Sequence, residues 1–124
     1  MKAKLYYYRG MDKETNSIPP NAFFVIEGGR TYPLVKTVIN IGRGLENQLV
    51  IGDLRVSRNH ARLQAINGQF ALFDLNSKGG TFVNGRRIHQ LILHPGDTIS
   101  LGGLTLFFKQ EDSPPRPDLI DTVR

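Results

Sequence analysis

Between residues 60 and 66 the chain alternates, with Ala61, Leu63 and Ala65 on one side and His60, Arg62 and Gln64 on the other. A period of two predicts a half-buried strand. Asn67-Gly68 follows, and then the apolar run Phe70-Ala-Leu-Phe-Asp-Leu75. An Asn-Gly pair between two such runs predicts a tight hairpin. Asn84-Gly85 makes the same signal after Thr81-Phe-Val83. Further short runs lie at Phe23 to Ile26, Leu34 to Ile41, Leu49 to Ile51, Thr98 to Leu101 and Leu104 to Phe108, separated by Gly28-Gly29, Gly52-Asp53, Pro95-Gly96-Asp97 and Gly102-Gly103. No window has helical periodicity, and glycine interrupts the chain about every ten residues. Strands at that spacing predict an all-β antiparallel sandwich or barrel. The parallel βαβ folds that bind nucleotides are excluded.

The two ends read differently. Residues 1–20 are expected to form an N-terminal leader ending in Pro19-Pro20, and residues 110–124 a Pro-rich acidic tail carrying Pro114, Pro115 and Pro117. The domain itself is expected over residues 21–109. Tyr6-Tyr7-Tyr8 in the leader is either a packed strand or an interaction site.

A chain of 124 residues is long enough for one domain with its own core. It has no cysteine, which excludes disulfides, thiol catalysis and Cys-ligated zinc. Three histidines, His60, His89 and His94, are too few and too ill-spaced for a metal site. No apolar run approaches the roughly 18 residues of a membrane span, and the apolar stretch near the N-terminus is too short for a secretory signal. The expectation is a soluble, cytoplasmic protein without cofactor, metal or membrane partner.

Charge narrows the picture. The net charge is +5, but between Arg30 and Arg87 nine basic side chains stand against three acidic ones. Seven of the nine are arginine, whose planar fork suits phosphate or carboxylate. A basic middle segment points to an anionic partner: nucleic acid, a phosphorylated peptide or an acidic surface.

Four segments fit no simple core role: Ile41-Gly42-Arg43, Val56-Ser57-Arg58-Asn59-His60, Asp74-Leu-Asn-Ser-Lys-Gly-Gly-Thr81, and Val83-Asn84-Gly85. Each lies at the end of an expected strand, where a sandwich gathers its loops. Arg43 can supply a bidentate contact, Ser57 a short hydroxyl bond, and Arg58 or Lys78 a second charge. That set suits a phosphate of about −1.5 to −2 charge with three acceptor oxygens. Ser57, His60 and Asp74 are the residue types of a hydrolase triad. They lack a Gly-x-Ser-x-Gly elbow and an oxyanion-hole motif, so no catalytic residue is assigned.

The order Gly-Arg, Ser-x-x-His, a Ser-x-x-Gly-Thr loop and Val-Asn-Gly resembles the forkhead-associated (FHA) domain. The resemblance covers about Ala22 to Phe108. It implies a sandwich of about eleven short strands whose loops at one end bind phosphothreonine peptides, without catalysis. By the same resemblance Arg43 grips the phosphate, Ser57 binds it, and Arg58 contacts phosphate or peptide. His60 braces the loops from a buried position, Gly42 lets the chain turn before Arg43, and Thr81, Asn84 and Gly85 are structural. The family's usual loop reads Ser-x-Asn-Gly-Thr, its Asn clamping the peptide backbone. Here it reads Ser77-Lys78-Gly79-Gly80-Thr81. Loss of that clamp at Gly79 is expected to cost about threefold to tenfold in affinity. Lys78 stands where a small hydroxyl residue often helps to hold the phosphate.

The implied function is a phosphothreonine-dependent binding module, a signalling adaptor downstream of Ser/Thr kinases, whose partner is a Thr-phosphorylated protein or peptide. The alternative is phosphorylation-independent interaction or self-association on the same sandwich. A nucleic-acid-binding barrel accounts for the charge but not for the motif order, and no aromatic stacking strand supports it. Thr15 and Thr122, in the leader and tail, are candidate kinase sites.

Overall fold

A computed structural model of the chain describes residues 17–111. Eleven strands run in order: β1 Ala22–Ile26, β2 Arg30–Pro33, β3 Val38–Gly42, β4 Leu49–Val50, β5 Ala61–Ile66, β6 Gln69–Asp74, β7 Thr81–Val83, β8 Arg86–Arg87, β9 Gln90–Ile92, β10 Thr98–Leu101 and β11 Leu104–Gln110. They form a six-stranded sheet, β2-β1-β11-β10-β7-β8, and a five-stranded sheet, β4-β3-β5-β6-β9. Among the described residues there is no helix. The expected tyrosine run, Thr15, Thr122 and most of the leader and tail lie outside the described residues.

The alternation read from the sequence is what packs the two sheets. Ala61, Leu63 and Ala65 of β5 are fully buried, while Arg62 and Gln64 face outward from the same strand. At the centre, Phe108 of β11 meets Phe24 of β1 and Phe70 of β6 edge-on, with ring centroids 6.2 and 6.3 Å apart. Such pairs contribute about 0.5–1.5 kcal/mol beyond the area they bury. Asn67 and Gly68 take φ of 50° and 79°, and Asn84 and Gly85 take 51° and 84°. Both hairpins thus have the left-handed central pair that matches strand twist.

Three details differ from the sequence reading. The run from Leu34 to Ile41 is not one strand, because residues 34–37 form a loop before β3. β3 and β4 pair in parallel, through Ile41 with Leu49 and Gly42 with Val50, so the five-stranded sheet is mixed. β5 begins at Ala61, and His60, assigned by its period to the outer face, is buried.

Candidate functional site

Loops 43–48, 51–60 and 75–80 meet at one end of the sandwich, joined by their backbones. Arg43 N donates to Ser57 O at 2.9 Å, and Gly44 N donates to Arg58 O at 3.0 Å. This approach is close enough that a Cβ on Gly42 would overlap Arg58 O. Glycine is required there by space rather than by the turn expected from the sequence. Asn47, 6% exposed, donates from Nδ2 to Gly44 O and Arg58 O, both at 2.7 Å. Arg43 Nε donates to Val56 O at 3.1 Å. That bond fixes the guanidinium on the Val56-Ser57 backbone and leaves its terminal nitrogens for a ligand.

His60 joins two of these loops. Ser57 N donates to Nδ1 at 3.0 Å, so Nδ1 carries no proton. Nε2 therefore holds the proton and donates it to Gly80 O at 3.0 Å. Burial pushes the His60 pKa below its ordinary 6.5, against the smaller opposing pull of the Gly80 carbonyl and Asp74. Ser57 Oγ accepts from Lys78 N at 2.9 Å and makes no bond to His60. Both ring nitrogens of His60 are thus engaged with backbone, and Ser57, His60 and Asp74 form no proton relay.

Asp74 organises the third loop. Its Oδ1 accepts from Ser77 Oγ at 2.6 Å and from Thr81 Oγ1 at 2.7 Å, and its Oδ2 accepts from Ser77 N at 3.2 Å. Burial acts to raise the Asp74 pKa, but these hydrogen bonds outweigh it and the net shift is downward. Ser77 Oγ in turn accepts from Gly80 N at 3.0 Å. Gly79 lies against the β10–β11 turn, where a Cβ on it would stand 2.8 Å from Gly102 Cα.

The basic side chains divide. Arg55 is bound by Asp53 at 2.8 Å and Glu27 at 3.0 Å, and donates to Gly103 O at 3.1 Å. Its guanidinium holds the Asp53 carboxyl down to about 2. Arg62 lies 5.3 Å from the centroid of the Phe73 ring, on the outer face of the five-stranded sheet. Arg43, Arg58 and Lys78 belong to the converging loops. Arg58 is exposed and 3.9 Å from Glu46. Asn84 and Gly85, grouped with these loops in the sequence, close the far end of β7. There Asn84 Oδ1 accepts from Thr98 N and Asn84 Nδ2 donates to Asp97, each at 2.9 Å.

Sequence reasoning missed Asn47 and the role of Arg55. Asn47 had no signal beyond its closeness to Gly42-Arg43. The i, i+2 spacing of Asp53 and Arg55 was a local hint of their pairing. A cleft of about 740 Å³ lined by Ile18, Pro19, Phe23, Pro33, Leu34 and Glu111 lies at the opposite pole. Its one charged lining residue is the acidic Glu111, so it does not suit an anion.

The converging loops carry the family's Gly-Arg, Ser-x-x-His and Ser-x-x-Gly-Thr motifs at one end of a two-sheet sandwich, and the sequence profile of the FHA domain matches residues 39–102. The chain belongs to the FHA-domain family. It is similar to the ABC transporter ATP-binding/permease protein Rv1747 of Mycobacterium tuberculosis, 34% identical over 77% of this chain and 11% of that protein. It is also similar to the glycogen accumulation regulator GarA of M. tuberculosis, 29% identical over 73% of this chain and 58% of that protein. The chain therefore spans less than two thirds of either relative. A structure solved for phosphothreonine-dependent FHA domain interactions superposes with a TM-score of 0.69 and 32% identity, covering 73% of this chain and 97% of that one. FHA domains are binding modules, in keeping with loops tied to one another through their backbones. Among the described residues no helix is long and apolar enough to cross a membrane.

Proposed function

We propose that this FHA domain binds threonine-phosphorylated protein segments and acts as a signalling adaptor downstream of Ser/Thr kinases. The observation that carries the reading is the fixing of Arg43 beside Ser57. Arg43 Nε is held by Val56 O, so the terminal nitrogens present two parallel donors in one orientation. Ser57 Oγ already accepts from Lys78 N, and its own proton is left to donate to an incoming oxygen. A phosphate monoester offers the charge and the acceptor oxygens that this donor set requires, with Arg58 and the Lys78 ammonium adding charge from the rim. Gly42, His60 and Thr81 support the site by holding the loops in register, and Gly79 borders the peptide path.

The phosphothreonine-dependent interactions of the structurally similar FHA domain support threonine as the phosphorylated residue. The domain acts by binding and not by catalysis. Since it reads the product of Ser/Thr kinases that use ATP, the reading also takes it to work in the cytoplasm.

Fluorescence polarisation against phosphothreonine, phosphoserine and unphosphorylated peptide pools tests this. Selective binding of the phosphothreonine pool is expected, lost in Arg43→Ala while the fold is retained. Equal binding of all three pools by the folded protein would sink the reading and leave phosphorylation-independent association.

A further inference from the structure

Arg87 lies against the 77–80 loop, and the phosphate site does not use it. It is the cross-strand partner of Phe82, on the outer face of the six-stranded sheet. A Cβ built on Gly80 would stand 3.3 Å from both Cζ and Nε of Arg87 and 3.1 Å from Phe82 Cε1. The guanidinium therefore lies over the Gly80 α-carbon, in space that a side chain would otherwise fill.

The loop beneath it is tied down by hydrogen bonds. Gly80 N donates to Ser77 Oγ, and Gly80 O accepts from both His60 Nε2 and Gly102 N. The cation above has no internal partner. Among the described residues Arg87 makes no ion pair and no hydrogen bond, although it is an exposed side chain with five donors. Four acids among the described residues are engaged elsewhere: Asp53 and Glu27 by Arg55, Asp74 by Ser77 and Thr81, and Asp97 by Asn84 and His94 N. Arg86, the cross-strand partner of Val83, lies on the other face of its strand and does not share this position.

We propose that Arg87 forms a second subsite, which takes the carboxylate of an Asp or Glu flanking the phosphorylated residue of the ligand. The proposal rests on the phosphopeptide reading. Gly80 is two residues from Lys78, whose backbone N–H is bound to Ser57 Oγ, a span of at most about 7 Å. An extended ligand with its phosphate at Arg43 and Ser57 that runs across the 77–80 loop toward β8 would bring a side chain within two or three residues of the phosphate over Arg87. A lone guanidinium fork, with no hydroxyl or backbone donor converging on it, matches one carboxylate better than a second phosphate.

The test compares phosphothreonine peptides carrying Glu or Gln at each flanking position in turn, by fluorescence polarisation. The wild-type domain is expected to prefer Glu at one position by up to about fivefold, the range of an exposed ion pair. In Arg87→Gln the Glu/Gln ratio at that position is expected to fall to about one. In Arg87→Glu, a Lys peptide should be preferred there over a Glu peptide. A preference that persists in Arg87→Gln, or phosphothreonine binding with no acidic preference anywhere, would overturn the subsite alone. Absence of phosphothreonine selectivity in the wild type would overturn the parent reading and the subsite together.

Discussion

Gly79 and Gly102 touch through their α-carbons across two loops. A Cβ on Gly79 would stand 2.8 Å from Gly102 Cα, while a Cβ on Gly102 would overlap Arg55 O. The three backbones are stacked, and the outermost is held by Arg55 to Asp53, Glu27 and Gly103. The glycine in place of the family's usual Asn therefore lies where the β10–β11 turn packs directly onto this loop. It is not simply a missing side chain.

Restoring the Asn should then fail. Gly79→Asn forces the 102–103 turn away from the loop, and overpacking of this kind costs about 1–3 kcal/mol. Thermal denaturation is expected to show a lower Tm, and phosphopeptide affinity is expected not to rise. A variant with unchanged Tm and several-fold tighter phosphothreonine binding would show that the turn yields freely and that the clamp was merely absent.

The pH dependence follows from His60. Its folded pKa is pushed below the ordinary 6.5, mainly by burial. Between that lowered value and 6.5 the unfolded chain binds the proton and the folded chain does not. Stability from this residue is therefore complete above about pH 6.5 and declines as pH falls below it. Protonation at Nδ1 would also set an N–H against the Ser57 N–H that now donates to it. Asp74, lowered from 3.8, loses its contribution only in a more acidic window. Urea midpoints from pH 8 to 5 should fall through the His60 window, and nuclear magnetic resonance titration should report a His60 pKa below 6.5. A His60 pKa above 6.5 would reverse the sign. Stability is the proper readout, since the ligand phosphate itself titrates near pH 6.

The strands and the two Asn-Gly hairpins were legible because each is written locally. Alternation in β5 names its buried face, and Asn67-Gly68 and Asn84-Gly85 supply the left-handed pairs their turns need. What depends on partners distant in sequence was not legible. Period two assigned His60 to the outer face, and only the family resemblance made it a buried brace; its ring is captured by Ser57 N and Gly80 O from two loops. Arg55 is one of the nine basic side chains counted toward the basic middle segment, yet acids at 27 and 53 neutralise it. Asn47 looked like any loop residue, and its two bonds to Gly44 O and Arg58 O appear only when loops 43–48 and 51–60 meet. β8 and β9, of two and three residues, are too short for a period to register.

Ser57 and Lys78 separate a side-chain role from a backbone role. Ser57 Oγ is the atom that joins two loops and, in the proposed reading, donates to the phosphate, whereas Lys78 reaches Ser57 through its backbone N–H. The exposed Lys78 ammonium contributes only charge at the rim. Ser57→Ala removes a hydroxyl donor to a charged ligand and leaves Lys78 N without its acceptor, a loss of about 1.5–3 kcal/mol or roughly tenfold to a hundredfold in affinity. Lys78→Ala keeps the backbone bond and should cost up to about fivefold, shrinking as salt is raised. Phosphopeptide titrations of both variants at low and high ionic strength read the difference. If Lys78→Ala proved as damaging as Ser57→Ala, and equally so at high salt, the ammonium would be a direct phosphate ligand and the backbone bond a minor contributor.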